Sequence, residues 1–293
     1  MSTQITTAFV QQYSANVMML AQQKGSKLRQ AVRMETITGK QAFFDQIGAT
    51  AARRRTSRHS DTPRMDTPHA RRRCPLEDFD WADLVDQEDK VRALIDPTSS
   101  YAMAAAMAMG RAMDEVIIDA MRGTAQTGET GSTAVVLPAG QKIAAAAGSL
   151  TLTKLRSAKK LLDAADIDSE GRYCAITATE LTALLGDTNI TSADFNTVKA
   201  LVDGQLNTFM GFEFIRVDGL RIDGTKILPL DPTDRLVYFW QRDQVVLGVG
   251  KEPNARITER ADKNYATQVF YSASFGATRM QEVGVVEAAC VGV

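Results

Sequence analysis

Arginines and carboxylates dominate one stretch of this chain, and their spacing is the first feature that could do chemistry. Residues 53 to 73 hold Arg53, Arg54, Arg55, Arg58, Arg64, Arg71, Arg72 and Arg73 against Asp61 and Asp66, a local charge of about +6. Residues 74 to 96 reverse the sign, with Glu77, Asp78, Asp80, Asp83, Asp86, Glu88, Asp89 and Asp96 against Lys90 and Arg92, about −6. Guanidinium is planar and binds carboxylate or phosphate through paired hydrogen bonds. The arginine block can therefore be a solvated loop, a clamp on the acidic block of a neighbouring copy, or a patch that neutralises nucleic-acid phosphates. The clamp is favoured, because an acidic block of equal size lies immediately downstream. The nucleic-acid reading lacks aromatic residues interleaved for base stacking.

Other chemistries find little support. His59 and His69 are the two histidines, and both lie among the arginines, where positive charge disfavours protonation and repels a metal cation. They lack close carboxylate or cysteine partners at the spacing of a zinc site. Cys74, Cys174 and Cys290 stand alone, without a CxxC pair, which argues against a disulfide framework and a thiolate cage and fits a reducing cytoplasm. The Gly128–Gly131 loop matches neither GxGxxG nor GxxxxGK[ST], and GxSxG and HExxH are absent. No catalytic, cofactor-binding or metal-ligating residue is expected, and no small-molecule substrate.

The chain that positions these blocks has 293 residues, enough to bury roughly three quarters of its unfolded surface in one large domain or two. Hydrophobic residues make up 44% and charged residues 24%, which excludes wholesale disorder. A net charge of −1 leaves no global field to pull the molecule onto nucleic acid or lipid, so electrostatics must act locally. No run approaches the roughly 20 apolar residues of a membrane span, and Met1 to Leu20 holds no signal-peptide core.

Residues 1 to 40 read as a polar arm with a helical piece, its apolar residues Phe9, Tyr13, Val17, Met18, Met19 and Leu20 spaced along one side. Residues 50 to 75, with Pro63, Pro68 and Pro75, read as an exposed loop or long hairpin. Asp96-Pro97 opens a helix that the Ala/Met-rich run from Tyr101 carries to Arg122, ended by Gly123. That Ala/Met stripe reads as core against a broad apolar surface. Gly128 to Gly140 reads as a loop. A second helix is expected over Thr153–Ala165, with Lys154, Arg156, Lys159 and Lys160 off its apolar stripe. A strand over Arg172–Thr177 and a short helix over Ala178–Leu185 follow. Strands are then expected over Phe212–Val217, Leu236–Gln241, Val245–Val249, Ile257–Arg260, Val269–Phe275 and Val283–Ala289.

This order, with Ser60–Pro68 (SDTPRMDTP) before the acidic block, Tyr101–Gly110 (YAMAAAMAMG) in the long helix and Leu206–Arg216 (LNTFMGFEFIR) entering a strand, resembles the major capsid proteins of tailed bacteriophages. The resemblance covers nearly the whole chain. It implies an α+β, Hong Kong 97-like phage coat fold: an N-terminal arm over 1–40, an extended loop over 41–90, a peripheral domain over 91–140 and 250–293 with a spine helix at 97–122, and an axial domain over 141–249. It also implies self-assembly into the hexamers and pentamers of an icosahedral head around double-stranded DNA held without sequence specificity. A separate scaffolding protein, a portal and a decoration protein are the partners expected, with assembly in the host bacterial cytoplasm. Some relatives crosslink through a loop lysine; arginines stand in this loop, so no crosslink is expected. An encapsulin-like shell and a nucleic-acid-binding protein using Arg53–Arg73 are the alternatives. On the clamp reading, Arg71→Glu with Arg72→Glu blocks assembly and leaves the subunit folded.

Overall fold

The computed structural model describes residues 22–59, 61–62, 64–86, 98–145, 148–186 and 208–291. The expected arm helix around Phe9–Leu20 and the Asp96 N-cap lie outside them. Along the chain the strands are β1 (Arg33–Thr36), β2 (Gln41–Ile47), β3 (His69–Pro75), β4 (Glu77–Val85), β5 (Ala125–Thr127), β6 (Thr133–Val135), β7 (Lys142–Ile143), β8 (Arg172–Ile176), β9 (Thr208–Phe209), β10 (Phe212–Arg216), β11 (Leu230–Asp231), β12 (Asp234–Gln241), β13 (Val245–Arg260), β14 (Ala266–Arg279) and β15 (Val285–Val291). The helices are α1 (Thr98–Arg122), α2 (Leu152–Ala164) and α3 (Ala178–Leu185).

Among the described residues the strands form three sheets. A long sheet runs β1-β13-β14-β4, a hairpin sheet runs β2-β3-β5-β6, and a mixed sheet runs β7-β15-β12-β8-β10-β9 with β11 beside β12. The two strands expected within 245–260 are one, β13, whose register against β14 shifts on either side of Lys251. An irregular register next to Pro253 lets a proline sit in a strand without breaking it. Two short strands, β5 and β6, flank the Gly/Thr/Ser segment, and β6 falls where a plain loop was expected.

β12 explains how the parts share a core. Period-two alternation turns Leu236, Tyr238 and Trp240 toward one apolar cluster and Val237 and Phe239 toward another. A strand buried on both faces reads as an unbroken apolar run, as Leu236–Trp240 does. The first cluster takes Met109, Met113, Ile117, Ile118 and Met121 of α1 together with Val245, Leu247 and Phe275 of the long sheet. The second takes Leu155, Ala158 and Leu162 of α2 with Cys174, Phe212 and Val286. Each fully buried side chain of this size stabilises by about 1.5–3 kcal/mol. Lys154, expected on the polar face of α2, is instead buried, and its ammonium donates to Gly148 O (2.8 Å), Ser149 O (3.1 Å) and Ala289 O (2.9 Å). It ties a loop and the last strand together.

α1 organises the other side. Gln23–Val32 crosses it, and the buried Asp114 carboxylate accepts from Ser26 Oγ (2.5 Å), Lys27 N (3.0 Å), Leu28 N (3.0 Å) and Gln23 Nε2. Burial pushes the Asp114 carboxyl upward, and these hydrogen bonds oppose the shift. Beyond the crossing, Leu28, Ala31 and Val32 enter the core, and Trp240 Nε1 donates to Ala31 O at 2.8 Å. The crossing is close because Gly110 has no side chain: a Cβ there would lie 2.3 Å from the carbonyl carbon of Gly25. Gly276 serves the same purpose on β14, where a Cβ would meet Pro75 O at 1.8 Å.

In a helix interior Gly→Ala ordinarily stabilises by about 1 kcal/mol. Here Gly110→Ala is expected to destabilise by about 1–3 kcal/mol through the backbone clash, lowering the melting temperature and speeding tryptic cleavage at Lys24 and Lys27. A raised melting temperature with unchanged cleavage would show that the crossing is not tight.

Candidate intersubunit surfaces

β2 and β3 pair antiparallel from Gln41 opposite Pro75 to Ile47 opposite His69. Gly48 N donates to Pro68 O at 2.8 Å and closes the neck of a long tip. This is the long hairpin expected from the prolines and the charge density. Arg53, Arg54, Arg55, Arg58 and Arg64 lie exposed in the tip, and among the described residues none is paired with a carboxylate. Arg55 Nε bends back to Ser57 O at 3.0 Å. His59 and His69 are exposed as well, and no cluster of described His, Cys, Asp or Glu side chains could hold a metal ion.

The three remaining arginines divide according to the pleat of β3. Arg71 and Arg73 share the outer face with Phe43 and Asp45. Arg71 Nε lies 2.6 Å from Asp45 Oδ1, its guanidinium sits over the Phe43 ring, and its hydrogen bond holds the Asp45 carboxyl below the usual range. Arg72 points inward and is 6% exposed. Its Nε donates to Met280 O at 2.8 Å, and one terminal nitrogen reaches Glu282 Oε1 at 2.6 Å and Oε2 at 2.7 Å. Arg72 thus finds its carboxylate 210 positions along its own chain.

Glu282 faces a second buried cation. Arg279 is fully buried, with its Nε 3.9 Å from Glu282 Oε1. Its Nη1 donates to Met121 O (2.7 Å) and Gly123 O (3.1 Å), and its Nη2 to Val135 O (3.1 Å). The last carbonyls of a helix have no partner within it and form the negative end of its dipole. A guanidinium donating there closes α1, and Glu282 links that closure to the root of the hairpin. Nothing in the local sequence around Arg279 signals this role.

The first part of the acidic block, Glu77 to Asp83, lies in a strand. β4 pairs with β14, Trp81 opposite Tyr271 and Asp83 opposite Val269, and forms one edge of the long sheet. Phe79 stacks on Phe275 with ring centroids 4.4 Å apart, and Trp81 packs against the α1 core. Glu77, Asp78, Asp80 and Asp86 are exposed, and Asp83 is half-buried. Asp78 accepts a hydrogen bond from Ser274 Oγ. Charges along an open sheet edge prevent indiscriminate strand pairing while leaving a defined acidic row. Glu88 and Asp89 lie outside the described residues. No ion pair among the described residues joins an arginine of 53–73 to Glu77, Asp78, Asp80, Asp83 or Asp86.

The inward turn of Arg72 revises the expectation for Arg71→Glu with Arg72→Glu. A glutamate at 72 would face Glu282 inside the protein, so that double variant damages the fold before any contact between copies is tested. The residues free to reach a neighbour are those of the tip.

A family profile described as phage capsid protein matches residues 5–292. No curated protein sequence matches the chain. Solved structures share the fold. A capsid structure of the cyanophage P-SCSP1u superposes with a TM-score of 0.75 at 19% identity, covering 100% of this chain and 96% of the other. The capsid of Ralstonia phage GP4 gives 0.73 at 10% identity over 97% and 96%, and Mycobacterium phage Che8 gives 0.68 at 14% over 96% and 97%.

Glu282→Ala leaves two buried guanidiniums without their shared carboxylate, and is expected to cost about 3 kcal/mol or more in urea unfolding. Arg71→Ala, on the solvent side of the same strand, should leave the unfolding midpoint almost unchanged. Equal midpoints for the two variants would remove Glu282 from its structural role.

Proposed function

The chain belongs to the phage capsid protein family and is a major capsid protein, a structural subunit of the phage shell in the virion; from that premise we propose that the arginine tip of one copy seats on the acidic β4 edge of the next. What supports this is the arrangement of charge: Arg53, Arg54, Arg55, Arg58 and Arg64 on one side and Glu77, Asp78, Asp80 and Asp86 on the other face solvent, and among the described residues no ion pair joins the two sets. Each exposed pair contributes only up to about 1 kcal/mol, but a shell repeats the contact in many linked copies, so weak pairs add up to a stable lattice.

The reading extends to pentamers and hexamers in an icosahedral head that encloses double-stranded DNA without sequence specificity, assembled in the host bacterial cytoplasm with a scaffolding protein, a portal and a decoration protein. It also assigns the regions. Residues 1–40 are the arm, whose β1 joins the edge of the long sheet, and the 41–75 hairpin is the extended loop. α1 with the long sheet, including β4, is the peripheral domain, and the mixed sheet with α2 and α3 is the axial domain. Two features support moving boundaries from the sequence-based division: β4 is hydrogen-bonded into the long sheet, and β15 pairs with β12 in the mixed sheet.

The test reverses charge where no internal partner exists. Arg53→Glu, Arg54→Glu and Arg55→Glu together should leave circular dichroism and melting unchanged and raise the subunit concentration needed for shells, seen by negative-stain microscopy, at least about tenfold, equivalent to about 1.4 kcal/mol. Adding Glu77→Arg and Asp80→Arg should restore assembly. Normal shells from the triple variant would overturn the clamp, and normal shells that fail to retain DNA would move the arginines to the nucleic acid. Because screening shortens to about 3 Å at 1 M salt, the same contact predicts weaker assembly at high salt.

A further inference from the structure

We infer that a groove between α1, β4 and the 220–222 loop receives Met65 from the hairpin tip of a second copy; this rests on the contact proposed above between the tip and the β4 edge, and gives that contact an apolar centre. The groove has a volume of about 310 Å³, with Trp81, Met109, Leu220 and Ile222 in its lining, Asp80 on the β4 side and Arg111 on the α1 side. Leu220 is 50% and Ile222 71% exposed, an apolar pair left to solvent beside a half-buried tryptophan.

The groove is built before any partner arrives. Ile222 N donates to Glu115 Oε2 at 2.9 Å, and Arg221 pairs with Glu115 (3.2 Å) and with Asp119, so the loop is pinned to α1. The charge of Arg221 is thereby used within the chain. Asp80 and Arg111 differ: among the described residues neither has an ion-pair partner, and Arg111 Nη1 donates to the amide oxygen of Gln22 at 2.9 Å. An acid on one wall and a base on the other are left for groups of opposite sign.

Three consecutive tip residues carry the matching set. Met65 is the one large apolar side chain from 49 to 67, and it is 51% exposed. Arg64 and Asp66 flank it, both exposed and without an ion-pair partner among the described residues. Arg64 suits Asp80 and Asp66 suits Arg111. A methionine adapts to an irregular groove, and its thioether suits the Trp81 indole. The run Arg53–Arg55 is a poorer occupant, because it would bring only positive charge to Arg111 and Arg221 and no large apolar group to the floor; its place is on Glu77 and Asp78, outside the groove.

The test uses shells of the full chain carrying Ile222→Cys with Arg64→Cys, Met65→Cys or Asp66→Cys in turn; the native cysteines are all buried. Mild oxidation should link subunits into a ladder through an interchain disulfide in at least one of the three, located by peptide mapping. No interchain link at any of them, or disulfides closed within one chain, would overturn the inference. Because labelling follows thiol accessibility, maleimide should modify Ile222→Cys at least about tenfold more slowly in shells than in free subunits, and equal rates would also overturn it. Shells carrying Arg54→Cys with Asp78→Cys separate the two claims: a link there with none at 222 removes the Met65 seat and keeps the tip contact, whereas links at neither place remove both.

Discussion

A partly buried carboxylate, Glu282, set between two buried guanidiniums is the constraint on which the rest of this subunit depends. Arg279 cannot stay ionised in the core without acceptors, and it finds them at the end of α1, with the Glu282 carboxylate 3.9 Å from its Nε as the nearby counter-charge. Arg72 cannot stay inside without Glu282 either. Neither cation can move without leaving a charge uncompensated, so the root of the hairpin, the end of the long helix and the turn into β15 are held as one unit. The proposed tip contact depends on such a root, because a contact made by a loose loop would lose to chain entropy what it gains in ion pairing.

The same helix binds the remaining parts by different means. Near its middle, Gly110 and Asp114 hold the incoming chain against it, one by absence of volume and the other by accepted hydrogen bonds. On its exposed side Arg221 reaches Glu115 and Asp119, which brings in the loop before β11. Its apolar face lies on the long sheet, and β12 joins that core to the second one. The root of the hairpin, the acidic edge and the crossing at Gln23–Val32 are therefore all fixed relative to one rod.

Much of this was legible in the residues. Helix propensity placed α1, and stripes of leucine and alanine placed α2 and α3 to within a residue or so, because local backbone preference and amphipathic period agree there. β8, β10, β12 and β14 followed from alternation or from short apolar runs between turns. β4 did not, because its acidic residues hide Phe79, Trp81 and Val85 behind a composition that reads as surface. Lys154 and Arg72 were misplaced for a related reason: a charge seems solvent-bound until its acceptors are known, and those acceptors, Ala289 O and Glu282, are supplied from the far end of the chain. Charge counting could find two matching blocks, but only the pleat of β3 separates the buried Arg72, which braces the fold, from Arg71 and Arg73 on the outer face.

The most direct measurement is the structure of an assembled shell at a resolution that shows side chains. The account predicts guanidiniums of Arg53, Arg54, Arg55 or Arg58 within hydrogen-bonding distance of Glu77, Asp78 or Asp80 on the adjacent copy, with Arg72 still on its own Glu282. A shell in which the tips touch only DNA or solvent, or fold onto their own subunit, would contradict it.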